Sequence, residues 1–170
     1  MSARLIAHSA LMRVELDHAH LDRVLDAAFK RGDLAPEDRA LVTELTYGVL
    51  RKRVYLDRWI EALTGRAITS FDQPTLYALR LGLAQLTLLD RIPAHAAVYE
   101  TVELAHKVRK SAAGLVNAAL RAYLDPERRP PEPHPRDPAD ALILAGNTWP
   151  WLSRALAAEC RRLSVEPLPI

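Results

Sequence analysis

Apolar positions recur at three- and four-residue steps along almost the whole chain, and no run of strict alternation rich in Val, Ile and Thr competes with them. That spacing specifies amphipathic helices rather than strands, so the fold class read from it is all-α. Ile6, Ala7, Ala10, Leu11 and Val14 form a first stripe behind Ser2, a suitable N-cap, and Leu21, Val24, Leu25, Ala28 and Phe29 form a second that stops at Gly32. Pro36 followed by Glu37 and Asp38 opens a third helix through about Arg53, because a first-turn proline loses no needed N–H and acids favour the positive helix end. Ala35 offers no side-chain cap there. Tyr55, Leu56, Trp59, Ile60 and Leu63 make the next apolar face, closed by Gly65; Asp72 before Pro74 then starts a stripe of Leu76, Leu79, Leu83 and Leu86. Gly82 inside that stripe predicts a close approach between helices. After a break at Asp90-Arg91-Ile92, Pro93 introduces a helix carrying Ala97, Val98, Thr101, Val102 and Ala105. Ser111 is expected to cap the last one, with Leu115, Val116, Ala119, Leu120 and Tyr123 inside and Asp125-Pro126 at its end. Short connections between such helices predict a compact bundle of about seven.

The pattern changes after Leu124. Pro126, Pro130, Pro131, Pro133, Pro135 and Pro138 prevent a regular helix and predict an extended linker over residues 125–138 with few tertiary contacts. Two short helical patterns follow, around Ala139 to Ala145 and Trp151 to Arg162, with apolar faces too small for a core of their own. The organisation read from this is a helical domain at 1–124, a Pro-rich linker, and a short helical extension at 139–170 packing on something else. Trp149 and Trp151 flank Pro150 and are candidates for that anchor.

Composition narrows the function only by exclusion. Against 23 Lys and Arg stand 21 Asp and Glu, so a nucleic-acid site has to be a local patch rather than a property of the whole chain. The single cysteine, Cys160, excludes an internal disulfide framework and a cysteine-rich zinc site, which fits a reducing cytoplasm. The first residues carry no long apolar run, so neither a signal peptide nor a membrane span is read there.

Among local groupings, Lys107-Val108-Arg109-Lys110-Ser111 sets three cations beside the start of a helix, whose unpaired N–H groups attract phosphate. The same cations would also be favoured by the dipole of the preceding helix alone. Arg51-Lys52-Arg53 ends a helix, where solvation and the dipole suffice to explain it. Asp17-His18-Ala19-His20, with Asp22, offers four possible metal ligands in one turn, but such residues are common in loops and no metal is assigned. His95, close to a helix start, is read as a neutral hydrogen-bonding or RNA-facing group rather than a catalytic base.

Three segments taken together carry a resemblance: DRALVTELTYGVLRKR from Asp38, RLGLAQLTLLDRIPAHAAVYETVELAHKV from Arg80, and AAGLVNAALRAYL from Ala112. In this order they resemble the NusB family of RNA-binding domains, across roughly residues 3 to 124. Their wording is closer to the N-terminal domain of RsmB/Sun-type small-subunit rRNA 5-methylcytosine methyltransferases than to the short antitermination factors. NTWPWLSRAL from Asn147 similarly resembles the helix leading towards the catalytic domain of those enzymes. The chain departs from the antitermination pattern in having only Arg4 before its first helix, Leu115 in place of a potential base-stacking Phe, His95 in place of Lys, and Tyr99 in place of Asn.

The resemblance implies a NusB-like bundle that binds ribosomal RNA through phosphate contacts from Lys107, Arg109, Lys110 and Arg121, with Ser111 and Asn117 as hydrogen-bonding groups and Arg4 and His95 on the same surface. It also implies that catalysis is absent from this chain, Cys160 included. S-adenosylmethionine is then expected only in a methyltransferase domain in cis, outside the chain. Two alternatives stay open: a free-standing antitermination factor pairing with NusE and RNA, and an interaction module without RNA binding.

Overall fold

The computed structural model describes residues 2–31, 34–136 and 138–145, together with Leu152, Ala155, Ala158, Glu159 and Arg162. Within these residues lie eight α-helices and no strand: α1 (Ala3–Leu16), α2 (Leu21–Arg31), α3 (Pro36–Arg51), α4 (Arg53–Thr64), α5 (Gln73–Leu88), α6 (Ala94–Val108), α7 (Ala113–Leu124) and α8 (Pro138–Ala145). Short 3₁₀ turns at Ile68–Ser70 and Lys110–Ala112 precede α5 and α7.

Most boundaries follow from local chemistry. Ser2 accepts from the Leu5 N–H and Asp72 from the Thr75 N–H, each satisfying a helix-start donor that has no partner inside the helix. Ala35 gives no such bond, and Pro36 opens α3 regardless. Gly65 closes α4 in the left-handed region at φ 65°, where a Cβ would be strained. His18 takes a similar conformation, φ 52°, between α1 and α2.

Helix α5 is the axis of the bundle, in contact with α1, α3, α4, α6 and α7. The single stripe expected for it is too narrow a description, since every residue from Thr75 to Gln85 is buried. Its two long polar side chains are satisfied internally. Arg80 makes a two-pronged ion pair with Asp57 of α4 (2.7 and 2.9 Å) and lies over the Tyr77 ring. Gln85 accepts from Arg4 Nε (2.7 Å) and donates to Thr101 Oγ1 (3.0 Å), and Thr101 in turn donates to the Ala97 carbonyl (2.7 Å). This buried chain fixes α1, α5 and α6 relative to one another. Gly82 allows α5 to approach α6 and α7: a Cβ there would lie 2.8 Å from Leu120 Cδ1 and 2.9 Å from Thr101 Cγ2.

The segment after α7 forms a turn at 126–128 and then runs without helix to 136, as the prolines require. It is a strap held along α4 rather than a spacer with few contacts. Arg129 stacks over Trp59 and Tyr123, whose rings meet edge to face at 5.0 Å. Tyr55 donates to Glu132 (2.8 Å), Arg58 donates to the His134 carbonyl (3.3 Å) and pairs with Asp140, and Lys52 donates to the Ala145 carbonyl at the end of α8 (2.7 Å). The polar residues between the prolines supply these contacts. Gly32, Trp149, Trp151 and Cys160 lie outside the described residues, as does most of the helical pattern expected around Trp151 to Arg162.

Candidate nucleic-acid interface

The cations singled out in the sequence fall on the hairpin formed by α6, the 3₁₀ turn and α7, in two groups. At the turn, Lys107, Arg109, Lys110 and Ser111 are all exposed. Arg109 is also tied down: its Nε lies 3.1 Å from Oδ2 of Asp72, the residue that caps α5. The Thr75 hydrogen bond and the Arg109 charge hold the Asp72 carboxyl below its ordinary range, against the opposing effect of partial burial. Arg109 therefore joins the turn to α5, whereas Lys107 and Lys110 have no carboxylate within ion-pair distance among the described residues.

Ser111 does not cap α7. The Ala112 N–H bonds to the Arg109 carbonyl at 2.8 Å and closes a tight turn, so α7 begins at Ala113, with Ala112 at the cap position and no side-chain bond. The serine hydroxyl sits one residue too early and faces outward. The turn also engages the first N–H of α7, since Ala113 donates to the Lys110 carbonyl, so the helix start is not the open anion site expected from the sequence and anion attraction here rests on the exposed cations.

Further along the hairpin, His95, Asn117 and Arg121 line a groove of about 410 Å³ together with Val98, Tyr99, Val102 and Leu124. His95, Tyr99 and Val102 stand at i, i+4 and i+7 on α6, and Asn117, Arg121 and Leu124 repeat that spacing on α7, so each trio shares one helix face. Arg121 Nε donates to Asn117 Oδ1 at 3.0 Å. Tyr99 is 65% exposed and Leu124 42%. The sequence reading brought together three of these seven residues and passed over Tyr99, noticing it only as a departure from a family pattern. Its helical phase relative to His95 and Val102 was the available signal.

Arg4 is engaged inside the bundle. Its side chain is only 13% exposed, bonded to Gln85 and 3.9 Å from Glu100, and burial lowers its pKa from the usual arginine value. It holds α1 against α6 and offers little to the surface. In the Arg51-Lys52-Arg53 run, Lys52 reaches the end of α8 and Arg53 pairs with Glu15 at 3.4 Å, so two of three cations make specific structural contacts beyond solvation. A further cationic surface escaped the sequence reading: Arg13, His20, Arg23 and Arg31 surround a cavity of about 300 Å³ between α1 and α2. Arg23 and Arg31 are eight residues apart, two helical turns, which would have placed them on one face. Among the described residues, no group of His, Cys, Asp and Glu has the arrangement of a metal site, and no helix is long and apolar enough to cross a membrane.

Fold and surface together define a small helical bundle whose α6–α7 edge gathers cations and polar side chains without a carboxylate lining the groove. The chain belongs to the NusB family, which it matches over residues 1–125. Among curated proteins it is similar to the Synechocystis protein named "Probable ribosomal RNA small subunit methyltransferase B", 38% identical over 124 residues, covering 72% of this chain and 28% of that protein. It is 41% identical over 125 residues to ribosomal RNA small subunit methyltransferase B of Vibrio cholerae, again covering 72% of this chain and 28% of the relative. The corresponding protein of Erwinia tasmaniensis is 38% identical over 121 residues, 71% of this chain and 28% of its own length. The chain thus spans little more than a quarter of the length of these relatives, and the match falls on their N-terminal domain.

Proposed function

We propose that this chain is the RNA-binding N-terminal module of a small-subunit ribosomal RNA methyltransferase, and that its α6–α7 edge holds the rRNA while a catalytic domain in cis, outside this chain, modifies it. The observation that carries the reading is the gathering of Lys107, Lys110, Ser111, His95, Asn117 and Arg121 along one hairpin edge, in a chain similar to the N-terminal domain of proteins named for rRNA methylation. Exposed lysines without a carboxylate partner suit phosphate, and phosphate contacts position an RNA without reading its sequence. The described residues do not fit S-adenosylmethionine: they are helices and loops, with no strand among them leading into a glycine-rich nucleoside loop. On this reading the cofactor belongs to the catalytic domain, and no chemical step is assigned to these residues.

The test is fluorescence anisotropy with a labelled small-subunit rRNA fragment across a salt series. Wild type is expected to bind, and Lys107→Glu with Lys110→Glu to weaken binding and lower the slope of log affinity against log salt by about 0.7–0.9 for each lost contact. Arg109 is left in place because it braces Asp72. Arg23→Glu with Arg31→Glu is the control of equal charge change; Lys52 and Arg53 are unsuitable because both make structural contacts. Equal losses from both doubles would reduce the attraction to diffuse charge and overturn the α6–α7 assignment; no binding by wild type at low salt would overturn the RNA reading itself.

A further inference from the structure

The α6–α7 groove contains what phosphate binding does not require. Val98, Val102 and Leu124 supply apolar surface, Tyr99 projects an exposed ring, and Asn117, Arg121 and His95 supply polar groups at the same place. Its volume of about 410 Å³ falls in the range of small-molecule sites, roughly 300–1,000 Å³. No carboxylate lines it, and Arg121 has no carboxylate partner among the described residues. Asn117 accepts from Arg121 through Oδ1, which leaves its amide N–H groups to donate.

We propose that this groove seats an unpaired nucleobase of single-stranded RNA, with the Tyr99 ring as stacking platform and Asn117 and Arg121 as hydrogen-bonding groups. The inference rests on the RNA-binding reading above and goes beyond it by naming the strandedness of the RNA and the ring that selects it. A tyrosine face beside an arginine suits a flat π-system, and bases become available for stacking when they are unpaired. Proximity to the cationic turn supports the same occupant: Lys107 lies eight residues beyond Tyr99, about 12 Å along the helix and about 80° around it. One strand can therefore place a base at Tyr99 and its backbone at Lys107 and Lys110. An amphipathic peptide could use the valines and Leu124 but would draw no advantage from that cationic continuation.

The experiment uses the 170-residue chain with a labelled RNA oligonucleotide, offered single-stranded and annealed to its complement, while the methyl resonances of Val98 and Val102 are followed by NMR. Single-stranded RNA is expected to bind more tightly than the duplex and to shift both valines. Tyr99→Ala should weaken single-strand binding roughly 5- to 100-fold and remove the preference, whereas Tyr99→Phe should retain both, because the ring supplies the stacking energy. Circular dichroism on both variants checks folding, which a side chain this exposed should not disturb. If Tyr99→Ala binds like wild type while the Lys107, Lys110 double loses affinity, contacts are confined to the backbone and the base site is overturned with the RNA reading intact. Binding that leaves the Val98 and Val102 methyl resonances unmoved would overturn it likewise. If wild type binds neither form of RNA, the underlying function falls, and the groove then serves a protein partner or none.

Discussion

Arg80 sits in the middle of the most buried helix, only 3% exposed, and survives there because Asp57 meets its guanidinium with two parallel hydrogen bonds. Desolvating such a pair opposes folding about as strongly as its mutual attraction favours it, so the net contribution of the intact pair is small. Removing one partner is different, since the other is left charged in a half-buried place. Arg80→Ala is expected to cost about 3–5 kcal/mol in urea denaturation, whereas replacing both partners together by Met at 80 and Leu at 57 should recover most of it. A double variant as unstable as Arg80→Ala would mean that packing, not the orphaned carboxylate, sets the loss. His8 follows the same logic with a single partner: it is buried in α1, donates Nε2–H to the Pro74 carbonyl at 3.0 Å, and burial lowers its pKa, partly offset by that bond. None of these internal roles was legible in the sequence. Arginine, glutamine and histidine read as surface by type, and only tertiary placement shows that Arg80, Gln85 and His8 are held inside by partners distant in the chain.

Helix limits were far more legible, because their determinants are local. Asp72, Gly65, Pro36 and Ser2 act within one turn of their own position. Ser111 failed as a cap for an equally local reason, the tight turn that moved the start of α7 onward to Ala113. Gly82 shows a sequence signal with a long-range cause, and it can be tested against Gly65. At Gly82 an added methyl would meet two fully buried neighbours, Leu120 and Thr101, and Thr101 cannot yield without disturbing its bond to Gln85. Overpacking of this kind costs about 1–3 kcal/mol, against about 1 kcal/mol gained from alanine's better helix propensity. Gly82→Ala should therefore destabilise by up to about 2 kcal/mol. At Gly65 there is nothing within 4 Å of the added atom, so Gly65→Ala should lose only the left-handed strain of about 1–2 kcal/mol, and Gly65→Asn less. A Gly82→Ala protein more stable than wild type in thermal denaturation would show that the helices part without penalty.

On the scale of the whole molecule, the segment from Arg129 to Ala145 returns to Lys52 and α4 through hydrogen bonds that span 76 to 93 positions of sequence separation. The stretch from Arg129 to Arg136 forms no helix, as its prolines require, yet lack of helix does not imply freedom. Nothing in the local sequence paired Arg58 with Asp140, or Lys52 with the end of α8, whose terminal carbonyls favour a cation. The same limit applied to the candidate site, where the cationic turn is a sequence run but the groove exists only once α6 and α7 are folded together. The strap makes a prediction of its own. Arg58 bonds Asp140 with both guanidinium arms, one of them at 2.8 Å, while the Arg136 N–H donates to the same carboxylate at 2.7 Å. The Arg58 hydrogen bond is the largest cause that holds the Asp140 carboxyl below its ordinary value of 3.8, and partial burial opposes it. A carboxylate with a lowered folded pKa contributes stability that is present above its unfolded pKa and is lost as pH falls through the folded value. Attachment of the strap should therefore be undiminished at neutral pH and weaken below about pH 3.8, an expectation checked by hydrogen exchange of the Arg136 N–H down a pH series. At neutral pH the counterpart is Arg58→Ala, in which trypsin should cut after Arg136 several-fold faster than in wild type, leaving the bundle through Leu124 helical and cooperatively folded, because cleavage reports the local opening of a segment. Equal cleavage rates in the two proteins would show that Arg129 and Glu132 hold the strap without the latch, and loss of cooperative unfolding after the cut would show that the strap is part of the core.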